Sequence, residues 1–158
     1  MDIMKNKITP TNNERVMTAD EFIVSKTDAA GRLTYCNRIF IEYSGYTEFE
    51  LLGQQHNIVR HPDMPRAVFH LLWSTLKSGN EFFGYVKNMT KDGSYYWVLA
   101  NVTPSFSNSG TDVKDISGYF SVRRKPDAAK LRIVSALYND MLLAEKVAGT
   151  SGAVAAGT

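Results

Sequence analysis

Two imidazoles, a guanidinium, an amide and a carboxylate crowd into one short run, His56-Asn57-Ile58-Val59-Arg60-His61-Pro62-Asp63-Met64-Pro65. These are groups suited to holding a polar or phosphorylated ligand: Arg60 can pair bidentately with a phosphate or with Asp63, and His56 can stack on a flat ring. On the residues alone a plainer reading stands beside this one, in which Arg60, His61 and Asp63 only knit a loop to a helix cap. Asn88 and Asn101, in stretches that read as half-buried strands, are amides that must find partners in a ligand or in a neighbouring strand. Catalysis has less support. No second Cys/His group lies at zinc spacing and no Ser-His-Asp arrangement is legible, so His61 and Asp63 act as acid or base only if a substrate enters. His70, away from the cluster, reads as a surface or packing histidine.

The elements that must position these groups follow from local patterning. Phe22 to Thr27 and Leu33 to Cys36 form a hairpin around Asp28-Ala29-Ala30-Gly31. Asn37 caps a short helix through Ile39, Phe40 and Tyr43, and Gly45 stops it. Thr47-Glu48-Phe49-Glu50 is a capping-box pattern whose turn Gly53 closes. After the histidine run Asp63 can serve as N-cap with Pro65 in the first turn, and Val68, Phe69, Leu72, Trp73 and Leu76 recur at helical spacing. A helix start beside Arg60 and two imidazoles is a natural place for a negative charge. Beyond Ser78-Gly79-Asn80, Phe82 to Thr90 and Tyr95 to Phe106 read as long strands around Lys91-Asp92-Gly93-Ser94, and Gly118 to Arg124 as a last strand after a polar loop. From Pro126 a final helix carries Leu131, Val134, Tyr138 and Met141. Such an order predicts an α+β fold with an antiparallel sheet.

The 158 residues, 44% of them hydrophobic, suit one domain with a genuine core. The expected division is a flexible arm over 1–18, a folded domain over 19–125, a final helix over 126–148 and a flexible tail over 149–158. A formal charge of +2, with both signs mixed, lacks the basic footprint of a nucleic-acid binder. The lone Cys36 excludes an intramolecular disulfide and fits a reducing compartment. With no apolar run of membrane-spanning length and no signal-peptide pattern, the expectation is a soluble cytoplasmic protein without membrane insertion.

This order of elements, with Asn37, Phe40, Ser44-Gly45-Tyr46-Thr47, the His56 to Pro65 run, Trp73-Ser74-Thr75-Leu76-Lys77, Gly84-Tyr85-Val86-Lys87-Asn88, Lys91-Asp92-Gly93, Tyr96-Trp97-Val98 and Gly118-Tyr119, resembles the PAS sensor domains of bacterial aerotaxis receptors. The resemblance covers roughly Phe22 to Arg124. It implies a sheet of about five antiparallel strands with helices on one face, enclosing a pocket for non-covalently bound FAD whose redox state is the signal. By the same resemblance the pocket residues are Asn37, His56, Arg60, His61, Asp63, Trp73, Asn88 and Asn101. Phe82 stands where such domains commonly carry tryptophan, which keeps an aromatic wall and loses an indole donor. A redox- or oxygen-linked sensor without turnover follows, with haem on His56 or His61, or a cofactor-free interaction module, as the alternatives. The apolar final helix predicts a homodimer or a partner signalling protein.

Overall fold

The computed structural model describes residues 8–107 and 112–148. Strands β1 (Ile23–Asp28) and β2 (Leu33–Cys36) form the first hairpin, with α1 (Arg38–Ser44), α2 (Glu48–Leu51) and a 3-10 turn (His56–Val59) leading to α3 (Arg66–Lys77). Strands β3 (Phe82–Met89), β4 (Tyr95–Phe106) and β5 (Ile116–Arg124) follow, and α4 (Ala128–Ala148) closes the described chain. The five strands lie in the order β2-β1-β5-β4-β3, every neighbouring pair antiparallel. This is the expected α+β fold.

Local chemistry explains most boundaries. The Asn37 side chain accepts from Phe40 N at 3.0 Å and so starts α1, while Gly45, at φ 76°, ends it in a left-handed conformation that glycine adopts without strain. Thr47 and Glu50 make the reciprocal bonds of a capping box. In the β3–β4 turn Ser94 N donates to Asp92 at 2.9 Å. Strand alternation then buries Tyr96, Val98 and Ala100 on one face of β4, against Phe40, Leu51, Val59 and Val86 in the main core.

Three expectations need correction. The N-cap of α3 is Pro65, not Asp63, and its side chain offers no acceptor. Instead the Glu145 carboxylate, on α4, accepts from Arg66 N at 3.1 Å and Ala67 N at 3.2 Å, so a residue far along the chain supplies the cap. The anion expected at this helix start is therefore a side chain of the protein itself. Within the arm, residues 8–18 are docked without a helix. Thr11 N donates to Gly93 O, Arg15 N to Tyr95 O and Tyr95 N to Asn13 O, Arg15 reaches the carbonyls of Glu42 and Tyr43, and Met17 is buried. Residues 1–7 and the tail 149–158 lie outside the described residues. Strand β5 begins at Ile116 rather than Gly118, because Ile116 pairs with Phe106 across a register shift in β4.

Helix α4 begins at Ala128, one turn primed by Asp127, whose side chain accepts from Lys130 N. It folds back on the outer face of the sheet: Tyr138 Oη donates to Tyr85 O at 2.7 Å and its ring lies 6.1 Å from Trp97. Among the described residues, no helix is long and apolar enough to cross a membrane.

Candidate functional site

Between the inner face of the sheet and α3 lies a cavity of about 450 Å³. Strand alternation decides its floor. On β5, Tyr119, Ser121 and Arg123 point inward; on β4, Ala100 and Val102; on β3, Val86 and Asn88; on β1, Ser25 and Thr27. Helix α3 supplies the wall of Phe69, Leu72, Trp73 and Leu76, and the 3-10 turn and its cap supply His56, Asn57, Val59 and Arg60. The protein's own side chains leave this space open, within the ~300–1,000 Å³ typical of small-molecule sites.

One end of the cavity is charged. Arg123 is only 3% exposed, yet among the described residues no carboxylate pairs with it, and the ionisable groups that bear on it are Tyr96 and Cys36. Its guanidinium donates to Ser25 Oγ at 2.9 Å and to His56 Nε2 at 2.7 Å, and lies 4.8 Å over the Phe40 ring. An arginine can only donate, so His56 Nε2 is an acceptor and the imidazole is neutral, with its proton on Nδ1. Burial first, and Arg123 second, push its pKa down to about 3. Burial likewise brings Arg123 down to about 10, and its Nε has no hydrogen-bond partner. A buried cation with an orphaned donor at a cavity wall is a demand for an acceptor-rich or anionic group.

Arg60, half-buried, follows His56 in the same run and stacks 3.9 Å over the Phe69 ring. Burial lowers its pKa and the nearby Glu145 carboxylate raises it. The Trp73 indole meets Tyr119 edge-on at 5.3 Å. Asn88 is buried opposite Tyr96 and forms an isolated bridge with Arg60, which ties the histidine run to the edge of β3.

Of the residues singled out from sequence, His56, Arg60, Trp73 and Asn88 line the cavity together. The others do not. Asn37 is spent on structure, accepting from Val24 N and donating to Phe22 O besides its cap. His61 is buried, accepts from Asp63 N at 3.0 Å, and is pushed to about pKa 4 by burial, with Lys87 adding to the shift. Asp63 is exposed and reaches Lys87 at 3.5 Å. These two do the plain work of knitting loop to strand. Phe82 packs with Leu72, Leu76 and Tyr119, behind the wall rather than on it. Asn101 points to the outer face, where it donates to Glu81 at 2.6 Å, because Ala100 and Val102 take the inner positions. His70 is exposed.

Sequence reasoning missed Arg123, Ser25 and Ser121. The signal was there in period two: Arg123 shares a face with Tyr119 and Ser121, but an arginine at a strand end reads as solvent-exposed. Among the described residues no cluster of His, Cys, Asp or Glu could hold a metal ion. Cys36 is buried outside the cavity, its thiol pushed up to about 11 by burial.

A flavin fits these residues: apolar walls suit its flat ring, and Arg123, Asn88 and Arg60 suit its carbonyl edge and an anionic side arm. Comparison with known proteins agrees in kind. The chain is 41% identical over 128 residues to the aerotaxis receptor of Escherichia coli (strain K12), and 28% identical over 124 residues to the nitrogen fixation regulatory protein of Klebsiella pneumoniae. The matches cover 81% and 78% of this chain but only 24% of each relative, so it spans about a quarter of their length. Among solved structures, the light state of the blue-light photoreceptor Aureochrome1 LOV superposes with TM-score 0.61 at 22% identity, covering 77% of this chain and 93% of that one. That likeness concerns the fold alone. With the PAS fold profile matching residues 33–119, more than half of the sequence, the chain belongs to the PAS-fold family, whose domains are sensory signalling modules rather than enzymes.

Proposed function

We propose that the chain binds FAD non-covalently in this cavity and acts as a redox- or oxygen-linked sensor that passes cofactor state to a signalling partner. The observation that carries the reading is Arg123, a buried cation that among the described residues has no carboxylate partner and no acceptor for its Nε. The likeness to the aerotaxis receptor supports FAD over other flavins, since the resemblance seen in the sequence implies that cofactor.

A bound flavin would supply reversible uptake of electrons and protons at its ring. The chain's own residues do the rest. Arg123 sets a fixed positive charge at one end, and neutral His56 holds that guanidinium by accepting from it. Asn88 offers an amide that can donate or accept, Trp73 and Phe69 give aromatic surface, and Leu72, Leu76 and Val86 exclude water. Arg60 suits the phosphates. Against haem, His56 Nε2 is already engaged by Arg123 and His61 Nδ1 by Asp63 N.

The module works in the cytoplasm as we read it, where buried Cys36 stays reduced. Its output face is α4, whose outward residues Ile133 and Leu137 are 72% and 54% exposed and offer a surface for a second copy or a downstream protein.

The test is the absorbance spectrum of protein purified without added cofactor, followed by titration with FAD. Flavin bands, or uptake of FAD with quenching of its fluorescence, are expected. A Soret band assigns haem instead, and a colourless protein that takes up no FAD overturns the reading.

A further inference from the structure

Arg60 belongs to two cavities at once. It lines the main cavity and also a second one, of about 290 Å³, formed with Pro62, Met64, Arg66, Leu142 and Glu145 under α4. Glu145 is 6% exposed, and both of its oxygens are committed: one to Arg66 N and one to Ala67 N, with the Arg66 Nε 3.8 Å from the first. A carboxylate on the first two N–H groups of a helix satisfies donors that would otherwise be orphaned and complements the helix dipole. Pro65 cannot do this, so α3 depends on α4 for its start.

Helix α3 is the wall of the main cavity. Its first turns carry Phe69, on which Arg60 stacks, and then Leu72 and Trp73. A carboxylate that pins the first turn of α3 and faces Arg60 electrostatically therefore bears on both the position of the wall and the placement of its cation.

We infer that Glu145 is a positioning residue for the ligand cavity, so that ligand occupancy and the Glu145 cap on α3 strengthen one another. This rests on the FAD reading above, and it goes beyond it by making the last helix a working part of the site. Because linkage is reciprocal, the factor by which the Glu145 cap tightens FAD is the factor by which FAD protects the Glu145 end of α4.

The experiment uses the full chain and three proteins: wild type, Glu145→Gln, and Tyr138→Phe. Tyr138→Phe removes another α4 contact, the bond to Tyr85 O, without touching α3 or Arg60. FAD affinity is read by fluorescence quenching, and α4 protection by hydrogen exchange with and without FAD. Glu145→Gln should weaken FAD about threefold to tenfold, the scale of one lost helix cap, and shrink the protection that FAD confers on α4 by the same factor. Tyr138→Phe should leave FAD affinity within about twofold of wild type. Equal FAD affinity in wild type and Glu145→Gln overturns the inference, and so does equal weakening in both variants, which would mean generic docking of α4. Wild-type protein that takes up no FAD is a separate result, seen directly in absorbance; it overturns the FAD reading and this linkage with it.

Discussion

A guanidinium buried without a carboxylate costs several kcal/mol of desolvation that hydrogen bonds to neutral groups only partly offset. Arg123 carries that cost, and Ser25 and His56 are neutral side chains that accept from it. If the cost is kept for a ligand, Arg123→Met should leave the urea midpoint of FAD-free protein unchanged or raised, since Ser25 Oγ and His56 Nε2, 3.1 Å apart, can then satisfy each other. FAD affinity should fall about tenfold to a hundredfold, the loss of one charge-assisted bond. A lowered midpoint with unchanged affinity would make Arg123 a structural residue. The same burial makes the fold acid-sensitive. His56 and His61 protonate near 6.5 when unfolded but only near 3 and 4 when folded, so below pH 6.5 the unfolded chain binds more protons and stability falls as pH is lowered. The slope is at most ~1.4 kcal/mol per pH unit for each imidazole. Urea midpoints at pH 7 and pH 5 measure it, with a clearly lower midpoint at pH 5 expected; equal midpoints would mean that the two rings take up protons as readily in the fold as in the unfolded chain.

At the scale of elements, β3 shows how closely a strand and the cavity wall are fitted. Gly84 has no side chain, and a Cβ there would lie 2.6 Å from two ring carbons of Phe82, which folds along its own strand. Gly84→Ala must therefore move that ring against Leu72, Leu76 and Tyr119, at ~1–3 kcal/mol for overpacking. Phe82→Leu in the same chain should recover most of the loss in thermal melts; no recovery would place the clash elsewhere. Strands, turns and caps were legible in the sequence because each rests on local chemistry: Asn37 over α1, Thr47 and Glu50 over α2, Asp92-Gly93 in the turn. The cap of α3 was not, because its acceptor, Glu145, comes from α4 and no local pattern announces it. For the site, the histidine run was legible as a cluster of chemical types, yet type alone could not sort residues facing the cavity, His56 and Arg60, from those stitching the loop, His61 and Asp63. Asn101 was misplaced because sheet face depends on register, and a single residue's shift exchanges the two faces, while Arg123 was missed because an arginine at a strand end reads as exposed.

For the molecule as a whole, the question is how a change in the cavity reaches the surface that a partner would meet. Asn88, on the cavity, and Tyr85, whose carbonyl accepts from Tyr138 Oη, lie on one strand three residues apart in the numbering, so β3 joins the proposed ligand to α4 by a single rigid element. Reduction of a bound flavin changes the donor and acceptor pattern at its ring edge, and Asn88, with both kinds of group on one amide, can follow that change only by rotating. Rotation alters what β3 must accommodate between its Arg60 bridge and its pairing with β4. On the far side, α4 rests on the core through Val134, Tyr138 and Met141 and on α3 through Glu145, so a displacement of β3 at Tyr85 is passed to it by direct contact. Its outward Ile133, Leu137, Leu143 and Val147 would carry the movement to whatever packs on them. Hydrogen exchange of α4 in FAD-loaded protein, with and without dithionite, should therefore differ in the wild type. The difference should shrink in Asn88→Ser, which keeps a polar group but not the two-sided amide, and in Tyr138→Phe, which cuts the bond to β3. Identical exchange in both redox states of the wild type would exclude this route, and a difference that survives both substitutions would assign transmission to α3 and Glu145 instead.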